Sequence, residues 1–186
     1  MTMTGLFDRA RDTSPAALKR VALIGTGMLI GIFQLFGIVG LRINTSPSLP
    51  LGLYVTSSQP NAIVVEFCPA EPFASLAVSR GYRDAGSCPD GAAPLMKPII
   101  ARAGDVVEMS GQGIVVNGRL VPNSVPRTLD SQGRPLTPWP FGRYVVAPET
   151  VWVASSYHAR SFDSRYFGPI QTSWIRDRVR PLLTAW

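Results

Sequence analysis

Residues 95–121 read LMKPIIARAGDVVEMSGQGIVVNGRLV. Three short apolar runs stand in it, Met96–Arg102, Val106–Met109 and Ile114–Val116, and Gly and Asn separate them. Asn117-Gly118, placed between Ile114–Val116 and Arg119–Val121, is a strong two-residue hairpin signal, because both turn positions need positive φ. Outward from this stretch the pattern recurs at Leu53–Thr56, Ala62–Phe67, Tyr144–Ala147 and Val151–Ala154, again bounded by Gly, Pro and Asn. Strands never alternate with long helices, which disfavours a parallel α/β sheet. The expected fold is mainly β, an antiparallel sheet or small barrel. Two stretches look like insertions or loops: Cys68 to Asp90, with a short helix expected over Phe73–Arg80, and the Pro-rich Val121 to Pro140.

A chain of 186 residues with 46% hydrophobic and 16% charged residues allows one small domain plus one very apolar segment. It excludes a large multidomain enzyme. The apolar segment is Val21–Leu41, VALIGTGMLIGIFQLFGIVGL, which carries no charge and only Thr26 and Gln34 as polar interruptions. As a helix it would extend about 32 Å, the thickness of a bilayer core. A buried helix of a small soluble domain would show a polar face, and none is present. Arg9, Arg11, Lys19 and Arg20 precede the segment and Arg42 follows it, so the positive-inside rule puts residues 1–20 in the cytoplasm. Residues 42–186 then lie outside it. A cleaved secretory signal would have a shorter apolar region and a small-x-small site, and RINTSPSLP offers none. Val21–Leu41 is therefore read as an uncleaved anchor.

Five of the 18 Lys and Arg and two of the 12 Asp and Glu lie before residue 43, which leaves 13 against 10 in the exported part. That surplus is too small to point to nucleic acid. One His and two Cys cannot furnish a four-ligand zinc cage or an iron–sulfur site, and no metal or other cofactor is expected. Cys68 and Cys88 enclose 19 residues. In an oxidising compartment a bridge there would add about 3 kcal/mol in the chain-entropy model. Free thiols would suit a cytosolic chain better, and the anchor topology favours the disulfide over residues 68–90.

Three patches could carry chemistry. Lys97 is one of two lysines against 16 arginines and sits in the apolar PLMKPIIARAGD. Burial would lower its pKa until the amine could act as a base, whereas an arginine could not. Without a nucleophile nearby it reads as an ordinary strand lysine. A hydroxyl is available in residues 44–54, NTSPSLPLGLY, where prolines hold the chain extended next to the membrane, although such a composition is also that of a linker. The third patch, YHARSFDSRYFGP at residues 157–169, follows the apolar VWVAS; Asp163 and Arg165 could pair there to organise a turn. His158 is the one histidine, and no GxSxG elbow supports a Ser-His-Asp triad.

Taken in order, the anchor, Ser-Leu-Pro at 48–50, Lys97 before Gly104-Asp105, and Ser161-x-Asp163-Ser164-Arg165 resemble the type I signal peptidase superfamily. SLPLGLY is similar to the form found in the TraF-type peptidases of conjugative transfer systems, and the likeness extends to FCP at 67–69, PLMKPIIARAGDVV at 94–107 and FDSRYFGPI at 162–170. The resemblance implies an antiparallel β fold and a Ser/Lys dyad, with Ser48 as nucleophile and Lys97 as general base. It places Ser161 where a serine orients that lysine, Asp163 and Arg165 where an acid and an arginine brace the site, and Ser46 where a hydroxyl joins the Ser48 N–H in an oxyanion hole. Ala103-Gly104-Asp105 departs from Pro-Gly-Asp, and the tail IRDRVRPLL from the more usual Gly-Arg-Ala-x-Pro-Leu. The implied activity is a membrane-anchored serine endopeptidase of the bacterial inner membrane with a periplasmic catalytic domain. Its implied partners are the bilayer, the components of a conjugative type IV secretion system, and a propilin that is cut and, in some such enzymes, joined into a ring. Two alternatives stand: a general signal peptidase for many exported precursors, and a non-catalytic anchored β domain.

Overall fold

The computed structural model describes residues 18–27 and 40–185. The chain divides into two units, residues 1–40 and 41–186. In the first, residues 18–27 are helical and exposed, and among the described residues no helix is long and apolar enough to cross a membrane. Most of the expected anchor, residues 28–39, lies outside the described residues, and Leu41 at its end opens the first strand.

The second unit is built from eleven described strands in two antiparallel sheets. They are β1 (Leu41–Asn44), β2 (Leu51–Thr56), β3 (Val64–Phe67), β4 (Leu95–Arg102), β5 (Val106–Ser110), β6 (Gly113–Val116), β7 (Arg119–Leu120), β8 (Gly142–Val145), β9 (Thr150–Val153), β10 (Ile170–Gln171) and β11 (Ile175–Ala185). Strand order is β1-β2-β11-β3-β4-β9-β10 in the larger sheet and β7-β6-β5-β8 in the smaller. Each expected apolar run overlaps a strand, although of Tyr144–Ala147 only Tyr144 and Val145 lie in one, β8. Asn117 and Gly118 adopt φ of 48° and 79°, the left-handed pair that turns β6 into β7.

Ala103-Gly104-Asp105 makes the corner between the sheets. Gly104 has φ 89°, and Asp105 caps the turn by accepting from the Arg102 N–H at 2.7 Å and the Asn117 amide at 2.7 Å. Those hydrogen bonds, the Arg102 one first, hold its carboxyl below the usual range.

The insertion holds a short helix, α1 (Phe73–Ser79), and is closed by a Cys68–Cys88 disulfide. The Pro-rich loop folds against it: Tyr82 donates to Asp130 at 2.6 Å, Arg134 donates to the same carboxylate at 2.6 Å, and Arg80 donates to the Pro135 carbonyl at 2.8 Å. Tyr82 and Leu136, one from each loop, pack against the hydrophobic core of the larger sheet.

β11 had no counterpart in the sequence reading. Its Arg176, Asp177, Arg178, Arg180 and Pro181 look unsuited to an interior strand, yet it pairs with both β2 and β3. Arg42 of β1 resolves part of the conflict by donating to Glu66 of β3 at 2.7 Å and to Asp177 at 2.7 Å. The register shifts between Pro181 and Leu183, an irregularity beside the one residue of the strand that has no amide hydrogen to donate.

Candidate active site

The hydroxyl patch is a turn, not the extended segment expected of its prolines. Residues 45–50 connect β1 to β2, and the Leu49 N–H donates to the Ser46 carbonyl at 3.4 Å around Pro47 and Ser48. Proline presets φ at the first central position of such a turn. Asn44, buried at the end of β1, locks it: its amide donates to the carbonyls of Ser46, Leu49 and Pro50 at 2.9, 3.2 and 3.0 Å, and its oxygen accepts from the Ser46 N–H. Leu49 is buried with Tyr54, Val64 and Val179, which packs the turn onto the larger sheet.

Along β4, Lys97 alternates with Met96 and Pro98 and shares its face with Leu95. The register Val65 to Lys97 and Phe67 to Leu95 sets it beside two core side chains of β3. Lys97 is only 5% exposed. Its Nζ donates to Ser48 Oγ at 2.7 Å, although 49 positions separate the two in sequence. Burial pushes the amine from its ordinary value down to about 8, with Asp163 acting to raise it and Arg165 to lower it. Ser46 Oγ lies 3.0 Å from Ser48 Oγ and accepts from the Ser48 N–H at 3.4 Å.

Asp163 caps the short helix α2 (Ser164–Phe167), and both it and Arg165 are fully buried. Two nitrogens of the guanidinium meet the two carboxylate oxygens at 2.8 Å each. Arg165 also donates to the carbonyls of Asn123, Ala159 and Ser161 at 2.9, 2.8 and 2.9 Å, tying the 157–162 loop to the Pro-rich loop. Fork-to-fork geometry with all donors used is what keeps such a buried pair tolerable. Asp163 makes no direct hydrogen bond to Lys97.

The expected contact of Ser161 with Lys97 is not made: the Ser161 hydroxyl is buried without a hydrogen-bond partner among the described residues. It nonetheless lines the same cleft, of about 350 Å³, as Ser48, Lys97, Leu95 and Phe162. His158 also borders the cleft, but its Nδ1 accepts from the Arg160 N–H at 3.3 Å, so no Ser-His-Asp triad is assembled.

Two residues of the site escaped the sequence reading. Asn44 is one, although Asn two positions before a Ser-Pro turn is a recognised side-chain-to-backbone signal. Ser155 is the other. Fully buried at the end of β9, it donates from Oγ to the Ser48 carbonyl at 2.7 Å, and no local pattern marks it.

A mainly antiparallel β chain thus brings a serine hydroxyl onto a buried lysine amine beside an open cleft. The model of the signal peptidase, peptidase S26, family matches residues 16–183, and the chain belongs to that family. It is 41% identical over 148 residues to a plasmid transfer protein TraF of Escherichia coli, covering 78% of this chain and 83% of that one. With a probable conjugal transfer protein TraF of Sinorhizobium fredii the identity is 39% over 184 residues, covering 96% and 95%. Among solved structures, a signal peptidase I of Enterococcus faecalis V583 aligns with 66% of this chain and 97% of its own at 16% identity and a TM-score of 0.35.

Proposed function

We propose that this chain is a membrane-anchored serine endopeptidase with a Ser48/Lys97 dyad, and that its substrate is the propilin of a conjugative transfer system. The observation that carries the reading is the 2.7 Å contact between a buried Lys97 amine and the Ser48 hydroxyl. Membership of the peptidase S26 family supports the reaction class. The TraF relatives, named for plasmid or conjugal transfer, support a conjugative setting for the substrate.

In this reading the neutral Lys97 amine takes the proton as Ser48 Oγ attacks the scissile carbonyl, and then gives it to the departing amine. The developing oxyanion is met by the Ser48 N–H and the Ser46 hydroxyl, which already adjoin the attacking oxygen. The Asp163–Arg165 pair fixes the loop that walls the cleft. The acyl ester on Ser48 is resolved by water, giving a cut chain, or by an amine of the same pilin, giving a ring. In this reading the apolar segment from Val21 spans the inner membrane and the peptidase domain, from Leu41 at the start of β1, lies in the periplasm.

The test is processing of the co-expressed propilin in membranes. Ser48→Ala and Lys97→Arg should each abolish cleavage while the chain accumulates to the parent level. Cleavage at the parent rate by either variant would leave the anchored, non-catalytic β domain as the better account.

A further inference from the structure

Ser155 links the two halves of the site. Its hydroxyl is saturated: it donates to the Ser48 carbonyl at 2.7 Å and accepts from the backbone N–H groups of Tyr157 and His158 at 3.1 and 3.0 Å. Its own N–H donates to Asp163 Oδ2 at 3.1 Å, the oxygen that also accepts from Arg165 at 2.8 Å. One fully buried residue therefore joins the main chain of Ser48 to the Asp163–Arg165 pair, across 107 positions of sequence.

This contact controls a specific freedom. The turn of residues 45–50 is held from within by Asn44 and from below by Leu49, but rotation about the Cα–C bond of Ser48 would still swing its carbonyl. With Leu49 anchored in the core, a shift of the Ser48 carbonyl is taken up at its Cα, which re-aims the N–H and Oγ relative to Lys97. Ser155 pins the carbonyl, and the ion pair behind it pins Ser155. Attack geometry tolerates only about half an ångström, and a misplacement of about 1 Å can cost a hundredfold in rate.

We propose that Ser155 is a positioning residue that transmits the rigidity of the Asp163–Arg165 pair to the backbone of Ser48. The inference rests on the reading of Ser48 and Lys97 as the reacting pair. It makes Asp163 act on the nucleophile through a chain of hydrogen bonds, without a proton transfer of its own.

The experiment compares the full-length chain in detergent micelles with its Ser155→Ala, Ser155→Cys and Ser48→Ala variants on purified propilin. Ser155→Cys keeps the volume but donates weakly, so it serves if Ser155→Ala does not fold. For a variant whose thermal unfolding shows it folded at the assay temperature, kcat should fall about 10- to 100-fold. KM should stay within threefold, and the midpoint of the pH–rate curve should not move, because Lys97 keeps its surroundings. A kcat within threefold of the parent would overturn the proposal, and so would a loss accompanied by an upward shift of the midpoint, which reports a site opened to water. Ser48→Ala separates the two ideas: cleavage that survives it removes the dyad reading, whereas its complete loss beside a fully active Ser155→Ala removes only the role of Ser155.

Discussion

In the proposed dyad Lys97 has to be neutral to accept a proton, and its burial among Leu95, Val65 and the Ser48 turn makes that state accessible near pH 8. Propilin cleavage should therefore rise with pH to a midpoint near 8, well below that of a free lysine at ~10.4. A rate flat from pH 5 to 9 would contradict the assignment. The same burial acts on stability. Between pH 8 and ~10.4 the unfolded chain holds a proton that the folded chain has released, so stability rises with pH through that window. Below pH 8 the folded state bears the full cost, about 3 kcal/mol for a shift from 10.5 to about 8. Lys97→Met should accordingly be inactive yet more stable than the parent at pH 7, with the gain shrinking towards pH 10.5, as followed by denaturant unfolding of the full chain in detergent. Replacing Asp163 changes stability in the opposite direction. Asp163→Asn leaves the Arg165 charge buried without its counter-ion and should cost about 3–5 kcal/mol, part of which returns when Arg165→Met is added. Equal stability of the single and double variants would count against a buried pair of this kind.

At the level of elements, the site depends on how β11 lies against β2. Gly52 has φ 138°, and a Cβ there would come within 2.2 Å of the Leu183 carbonyl oxygen and 2.8 Å of the Thr184 Cα, both main-chain atoms that cannot swing aside. Gly52 is thus required by the close approach of two strands. Gly52→Ala should destabilise the sheet by roughly 2 kcal/mol or more, read from the unfolding midpoint. A neutral substitution would show that β11 is free to shift. Because β2 leads out of the Ser48 turn, the same variant should lower the rate of cleavage as well. The strand itself was illegible for a physical reason: Arg176, Asp177, Arg178 and Arg180 break the alternation that marks a half-buried strand. Asp177 is accommodated by Arg42 and Arg176 by the Ser87 carbonyl and hydroxyl, partners that are remote in sequence.

For the molecule as a whole, the 68–90 insertion and the Pro-rich loop are coupled to each other by Tyr82, Asp130, Arg134 and Arg80 and border the cleft that holds Ser48 and Lys97. The disulfide closes the base of the insertion, and neither cysteine lines the cleft. Replacing both cysteines by serine should lower stability by about 3 kcal/mol while leaving cleavage measurable. Complete loss of processing by a folded double variant would mean that the insertion takes part in catalysis. Local chemistry determined much of this architecture. Turn residues such as Asn117-Gly118 and the short apolar runs act within a few residues of one another, so strands β2 to β9, the β6–β7 hairpin, α1 and the insertion were legible in order, whereas β1, β10 and β11 were not. The motif resemblance also selected Ser48 and Lys97 out of many hydroxyls and cations. Only tertiary structure decided how those residues meet. It set the 2.7 Å contact across 49 positions, left Ser161 without its expected partner, and brought Ser155 onto the Ser48 carbonyl across 107 positions. Such contacts depend on strand register and on burial shared among distant segments, quantities that no stretch of chain carries by itself.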